Sequence, residues 1–282
     1  MTINTYALID GVMRQTAIKE VYKAKQPIQV IPLYIGTCFQ DNYDLGPILV
    51  AALNGSHLIT QIQQDWADSA TILQTDQSLQ TVAEHLKQFI TVTDDSGSNA
   101  LFRFADPLTT WYWLNSYHGN IPLDIFGPIK TWQVSNPIPD WQQPQTAQWQ
   151  IFAPLPEATF THIRLDYLNE PQVQALDQAA DFRFKNKLYQ WLQTERADIL
   201  QSKTAEQISQ WFELAMVKVN TYNLTNQRTI AQWVDLCTDY GLDFISQENS
   251  PYQQWLQQNS QYKSLPIDIK IQHFYDYTIE LS

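Results

Sequence analysis

The sequence predicts an α+β fold in which a mixed α/β lobe precedes an all-helical lobe. Over about the first 155 residues, short apolar runs typical of strands alternate with amphipathic helices. The pattern changes after Pro154-Leu155-Pro156, and from Asn169 onward only the three- and four-residue spacing of helices recurs. A chain of 282 residues favours two lobes over one, so the predicted domains are residues 1–155 and 156–282.

Prolines and short strand lengths predict an irregular, mixed sheet in the first lobe. The predicted strands cover residues 6–9, 28–34, 48–53, 70–75, 129–134 and 148–152. The predicted helices cover residues 16–25, 57–66, 79–90 and 107–117. Pro32 interrupts the second strand and favours an edge position for it. A doubly wound nucleotide-binding fold is not expected, because no glycine-rich phosphate-binding motif follows the first strand.

The clearest local signals lie between the start of the third predicted helix and the start of the fourth. Ser78 precedes apolar residues at helical spacing, which predicts a helix with Ser78 as its N-cap. Residues 94–97 (Asp-Asp-Ser-Gly) have the composition of a turn, and residues 100–105 are predicted to form a strand whose only charge is Arg103. Asp106 is then expected to cap the next helix, because Pro107 suits the first helical position.

The second lobe is predicted to be a bundle of about five helices. They begin near residues 169, 204, 230, 250 and 267. Thr204 opens one helix with a capping-box pattern, because Gln207 stands three residues later. Gly241 is suited to end the helix that begins near Ile230.

The composition is that of a folded, acidic protein. The chain has 44% hydrophobic residues and 10 tryptophans, which argues against disorder. Its formal net charge is −12 and it carries no basic stripe, which disfavours nucleic acid or an anionic membrane as a partner. Solubility explains the acidity, and the functional alternative is a basic protein partner.

The first ten residues, the apolar runs and the cysteines of the sequence bear on the expected cellular location. The first ten residues lack the basic and apolar regions of a signal peptide, and no run reaches the roughly 18 apolar residues of a membrane span. Cys38 and Cys237 lie far apart in the sequence, which predicts two isolated buried thiols. A reducing cytoplasm is therefore the expected location.

Few residues carry a chemical signal, and neither a metal nor a cofactor is expected. No standard metal-ligand spacing includes any of the five histidines, His57, His85, His118, His162 and His273. His85 lies beside the apolar face of its helix and is interpreted as a partly buried structural residue, with a catalytic base as the alternative. Arg103 and Asp106 could together hold a phosphate or a metal, but a capping aspartate and an arginine paired with an oxygen acceptor are favoured.

Six short segments carry a family resemblance. In chain order they are Tyr6-Ala7-Leu8-Ile9-Asp10-Gly11, Leu33-Tyr34-Ile35-Gly36, Gly46-Pro47-Ile48-Leu49-Val50, His85-Leu86-Lys87, Leu101-Phe102-Arg103-Phe104-Ala105-Asp106-Pro107, and Phe126-Gly127-Pro128 followed by Trp132. The Phe-Arg-Phe-x-Asp-Pro run is the most specific of them. Over residues 5–135 the chain resembles the adaptor chaperones of type VI secretion effectors (the Tap or TEC family, built on a domain first catalogued as of unknown function). It departs from the family pattern at Lys87, Ala105 and Leu108.

The resemblance implies a non-enzymatic adaptor in the cytoplasm. Such a protein binds a specific type VI effector and promotes its loading onto the VgrG spike protein, so the implied partners are proteins, with no nucleic acid and no membrane. The motif residues carried over are expected to be structural: His85, Phe102, Arg103, Phe104, Asp106, Pro107, Gly127 and Pro128. The sequence does not indicate which residues contact the effector. Two alternatives remain, an immunity protein that binds a toxin domain and an enzyme with an acidic site assembled in space.

Overall fold

The computed structural model describes residues 3–53, 56–142 and 146–281, and its chain divides into two compact units. The first unit comprises Met1–Pro137 and Thr146–Ala180, and the second comprises Ile138–Gln145 and Asp181–Ser282. Every strand of the described residues lies in the first unit, and helices build the second. The predicted α+β class is therefore confirmed.

Six strands form the main sheet of the first unit, in the order β2-β3-β1-β4-β7-β8. They are β1 (Asn4–Asp10), β2 (Ile28–Pro32), β3 (Pro47–Ala52), β4 (Ala70–Thr75), β7 (Ile129–Ser135) and β8 (Trp149–Phe152). All neighbouring strands of this sheet are antiparallel, so the expected mixed pairing is absent from its described strands. The predicted irregularity appears as a register shift between Gln74 and Thr75, and Pro32 ends the edge strand β2.

Helices cover both faces of the main sheet, because successive strand residues point to opposite sides. α1 (Ala17–Lys23) and α2 (Leu58–Asp65) supply residues to the core on the side of Ala7 and Ile9. The core on the side of Tyr6 and Leu8 receives residues from three further helices. These are α3 (Leu79–Leu86), α4 (Pro107–Asn115) and α5 (Leu123–Phe126).

A second, three-stranded sheet contains β5 (Thr91–Asp94), β6 (Asn99–Leu101) and β9 (Tyr167–Leu168), in the order β6-β5-β9. The predicted strand over residues 100–105 was too long. Only its first two residues belong to β6, and Arg103 already accepts a backbone hydrogen bond from Asp106 in the turn that leads to α4. Phe102 and Phe104 are buried in the core although neither pairs with another strand. The alternation that predicted a strand therefore extends beyond the residues that pair.

The second unit is built from six helices of the described chain, one more than predicted because of the short α7. They are α6 (Glu170–Glu195), α7 (Ala197–Leu200), α8 (Ala205–Thr221), α9 (Gln227–Tyr240), α10 (Pro251–Gln258) and α11 (Ile267–Leu281). Thr204 and Gln207 form the predicted capping box of α8, and Gly241 ends α9 with a positive φ. The aromatic core of this unit includes Phe212 and Trp233, which are fully buried.

The compact units are divided at other positions than the predicted boundary after residue 155. Residues 156–180 group with the first unit, because β9 pairs with β5, and Val173 packs against the first core. Residues 138–142 group with the second unit, because Trp141 packs on Phe212 with ring centroids 4.9 Å apart. The division thus falls within α6, whose continuous helical pattern gave no sign of it in the sequence.

Candidate functional site

Asp10, the last residue of β1, joins two motif segments through its buried carboxylate, its own and the one that contains Arg103. Oδ1 accepts hydrogen bonds from the backbone N–H groups of Val12 (2.8 Å) and Met13 (2.9 Å). Oδ2 accepts from Nη2 (2.9 Å) and Nε (3.3 Å) of Arg103. Arg103 lies 93 residues further along the chain, so this ion pair fixes the Phe-Arg-Phe-x-Asp-Pro segment against the end of the central strand.

The electrostatics around Asp10 combine burial with a single strong partner. Burial raises the pKa of Asp10, the Arg103 guanidinium opposes this rise, and the nearby Asp106 carboxylate adds to it. The pKa of Tyr34 is also raised by burial, with Asp10 adding to the rise and Arg103 opposing it. The Arg103 side chain is 31% exposed, so it lies between the buried Asp10 carboxylate and solvent.

Asp106 caps α4, as the sequence predicts. Its Oδ1 accepts from the backbone N–H of Leu108 at 3.1 Å, and its Oδ2 accepts from the hydroxyl of Thr109 at 3.0 Å. The same Oδ2 lies 3.8 Å from Nη2 of Arg103. Pro107 occupies the first turn of the helix, where its missing N–H breaks no intrahelical bond.

His85 and Gly127, from two different motif segments, are in direct contact. The His85 ring donates from Nε2 to the backbone carbonyl of Ile125 at 2.9 Å, because a carbonyl oxygen can only accept. Burial lowers the pKa of His85, and the hydrogen bond to Ile125 opposes the change. Gly127 has φ +51°, and a Cβ atom there would lie 2.4 Å from Cε1 of His85. Only glycine therefore fits beside this ring, and it follows Phe126, the last residue of α5, as the C-cap of that helix.

A cluster of aromatic rings links these motif segments inside the first unit. Phe89 contacts His85 edge-on at 5.3 Å between centroids and also packs on Trp113 at 5.4 Å. Phe102 meets Trp113 at 4.9 Å, and Phe104 meets Phe89 at 5.7 Å. The two phenylalanines that flank Arg103 are thus core residues, and the exposed part of the motif is the arginine itself.

A cavity of about 450 Å³ lies beside His85 and brings it near His162 and Asp124. Asp124 accepts from the backbone N–H of Thr161 (2.8 Å) and of His162 (2.8 Å), and from the Thr161 hydroxyl (3.1 Å). Desolvation works against these hydrogen bonds, which nevertheless lower the pKa of Asp124. Its carboxylate therefore anchors the segment around Thr161.

Metal ligation finds no support in residues 3–53, 56–142 and 146–281. Within them, no group of three or more His, Cys, Asp or Glu side chains is placed to hold a metal ion. The phosphate or metal alternative for Arg103 and Asp106 also conflicts with the contacts of Arg103, whose guanidinium is bound to Asp10.

Sequence reasoning missed Asp10 and misjudged Cys38. Asp10 belongs to a family segment but receives no role of its own from the sequence, although an acid directly after a buried apolar strand is a signal for one. Cys237 is buried as expected, and burial raises the pKa of its thiol. Cys38 is exposed, because it lies in the loop between β2 and β3 rather than in an apolar run.

Two loops beside Arg103 expose five large apolar side chains, which we call the loop surface. These are Val12, Met13, Ile35, Tyr43 and Leu45, between 37% and 51% exposed. The loops are held together by a hydrogen bond from the backbone N–H of Gly11 to the carbonyl of Gly46 at 3.0 Å. Exposed apolar side chains on neighbouring loops, close to the ordered motif cluster, are candidates for contact with a protein partner.

Comparison with known proteins gives one match. Residues 5–120 match a family model described as a domain of unknown function (DUF4123). This segment runs from the second residue of β1 to beyond the end of α4 and hence contains Asp10, His85, Arg103 and Asp106. It covers less than half of the chain, and it supports the resemblance seen in the sequence over that segment. No curated protein and no solved structure matches the chain.

Among the described residues, no helix is both long enough and apolar enough to span a membrane.

Proposed function

We propose that this protein is a non-enzymatic, cytoplasmic adaptor that binds one effector of a type VI secretion system and promotes its loading onto the VgrG spike protein. The observation that carries the proposal is the DUF4123 match over residues 5–120, the segment that resembles the adaptor family. Domains of this kind are associated with type VI effector adaptors. The proposal therefore concerns the first unit, which contains the matched segment.

The contacts of the polar motif residues support a binding role over catalysis. Asp10 and Asp106 each accept hydrogen bonds from groups of the same unit, and His85 donates to a backbone carbonyl. A general base needs an acceptor atom directed at a substrate, whereas these groups hold the fold together. The loop surface supplies apolar contact area in the same unit.

The test is capture of the effector by the tagged full chain in cells that express the secretion apparatus, followed by a secretion assay. We expect one large effector to co-purify, and to disappear from the culture medium of a strain that lacks this chain while the spike protein is still released. Met13→Asp, on the loop surface, should weaken the capture. Leu214→Asp, on α8, is the matched control, since both side chains are about half exposed (47% and 55%).

Mapping the bound region separates the adaptor from an immunity protein. An adaptor should bind the delivery region of the effector, whereas an immunity protein should bind the toxic domain and protect cells by itself. Binding confined to the toxic domain, or unchanged effector release without this chain, would contradict the proposal.

A further inference from the structure

A groove of about 680 Å³ lies at the end of the main sheet where β1 begins, away from Arg103 at the other end of that strand. β1 and β4 run antiparallel here, with Thr5 opposite Gln74. Gln133 of β7 belongs to the same face, since it pairs with Ile72, and α2 contributes Gln63. We call this the amide groove, defined by Asn4, Thr5, Gln29, Gln63, Gln74 and Gln133.

The amide groove is free of formal charge. None of its lining residues in the described chain is Asp, Glu, Lys, Arg or His, although charged residues make up 16% of the sequence and the net charge is −12. An ionic ligand would lose hydration here without gaining a counter-charge, so the groove selects against it. A purely apolar ligand is also disfavoured, because it would cover carboxamides without offering them hydrogen bonds.

Three of the carboxamides, those of Gln63, Gln74 and Gln133, are held in place by hydrogen bonds that use one polar atom of each. Gln63 donates from Nε2 to Oε1 of Gln133 at 3.1 Å, and Oε1 of Gln74 accepts from the hydroxyl of Thr131 at 3.1 Å. Within the described residues, this leaves Nε2 of Gln133 and of Gln74 as donors and Oε1 of Gln63 as an acceptor. Donors and an acceptor set side by side complement another amide, which presents one N–H and one C=O.

We propose that the amide groove binds an extended, uncharged segment of a partner polypeptide through its main-chain amides. Backbone amides supply alternating donors and acceptors, which can pair with the carboxamide atoms that have no partner within the described residues. An uncharged segment also avoids the desolvation cost that excludes ions. The inference rests on the proposed adaptor function for the source of this segment, which is then part of the effector. The groove itself is assigned from its own residues.

The test is selection from a phage-displayed library of random 12-residue peptides on the immobilised full chain. We expect the selected peptides to be depleted of Asp, Glu, Lys and Arg relative to the library. For one selected peptide, Gln74→Glu and Gln133→Glu should each lower the affinity by about tenfold or more. Each substitution adds a charge to the groove while the shape of the side chain is almost unchanged. Gln40→Glu is the control, since Gln40 is exposed and lies outside the groove.

A measurement on the unmodified protein keeps the test valid if these variants fold poorly. Hydrogen exchange of segments 72–75 and 131–135 should slow when the peptide is added. Selected peptides with the charge content of the library, absence of any binder, or binding that both variants retain would overturn the proposal. So would displacement of the selected peptides by the neutral sugars cellohexaose or chitohexaose, which would make the groove a saccharide site.

The selection is independent of the effector, so the two proposals fail separately. Peptide selection that fails while an effector is captured would remove the amide groove and leave the adaptor function. Peptide selection that succeeds without effector capture would leave a peptide-binding groove and remove the adaptor function.

Discussion

Replacing Arg103 with alanine should destabilise the first unit through the charge that it leaves behind. Asp10 is 4% exposed, and its Oδ2 accepts both of its side-chain hydrogen bonds from Arg103. Removing one partner of a buried ion pair costs about 3–5 kcal/mol, and the partial exposure of Arg103 reduces this to about 2–3 kcal/mol. The residual cost comes from Asp10, which stays buried next to Asp106 without a counter-charge.

The pH dependence gives this prediction its signature. Burial already raises the pKa of Asp10 above that of the unfolded chain, and loss of Arg103 raises it further, because the guanidinium opposes the shift. At pH values between the pKa of Asp10 in the unfolded chain and its higher pKa in the folded variant, Asp10 therefore binds a proton in the folded state only. Its stability is retained at low pH and is lost as the pH rises through the folded pKa of Asp10. The destabilisation should accordingly be smaller at pH 4 than at pH 7.

The assay is urea unfolding of the full chain followed by circular dichroism, with hydrogen exchange of segments 4–10 and 47–52 to localise the effect. Arg103→Ala with Asp10→Asn should be more stable than Arg103→Ala alone, since the uncompensated charge is gone. Arg164→Ala is the matched control, because Arg164 pairs with Asp166 at the surface and its loss should not be measurable. Equal effects of Arg103→Ala and Arg164→Ala, or a destabilisation independent of pH, would refute the reasoning.

Three further predictions concern the contacts of α5. Gly127→Ala should lower the free energy of unfolding in urea by about 3 kcal/mol or more, because the positive φ and the Cβ 2.4 Å from the His85 ring act together. A variant as stable as the wild type would contradict this prediction. The stability of the wild type should fall as the pH drops below about 6.5, because burial lowers the pKa of His85 and the unfolded chain is protonated first. His85→Gln should flatten this dependence of stability on pH between about pH 7.5 and 5.5, and an unchanged dependence would count against the prediction. Asp124→Ala should speed amide exchange at Thr161 and His162, which lose their acceptor, while unaltered exchange would show that other contacts hold the segment.

Local signals in the sequence predicted the elements and their caps well. Ser78, Asp106 and Thr204 cap the helices they were expected to cap, because an N-cap depends on residues only two or three positions away. Periodicity likewise located the buried strands, whose pattern reflects the two faces of a sheet. These predictions needed no knowledge of the rest of the fold.

Contacts between distant segments could not be predicted in the same way. Asp10 and Arg103 are brought together by the order of strands, which no local pattern specifies. The fit of His85 against Gly127 depends on a glycine 42 positions away, and the amide groove gathers glutamines from three strands and a helix. A glutamine in a strand reads as an ordinary polar residue until its neighbours across the sheet are known.

The motif cluster and the two proposed contact surfaces lie at the two ends of the same strand, β1. The loop surface lies where β1 ends, and the amide groove lies where it begins, so the two are about 20 Å apart along the strand. One effector that reaches both must present an apolar patch and an uncharged extended segment at that separation. Contacts so far apart should contribute additively to the binding free energy. Met13→Asp combined with Gln133→Glu should therefore multiply the two single losses of effector affinity, whereas a partner that uses one surface would respond to only one of the substitutions.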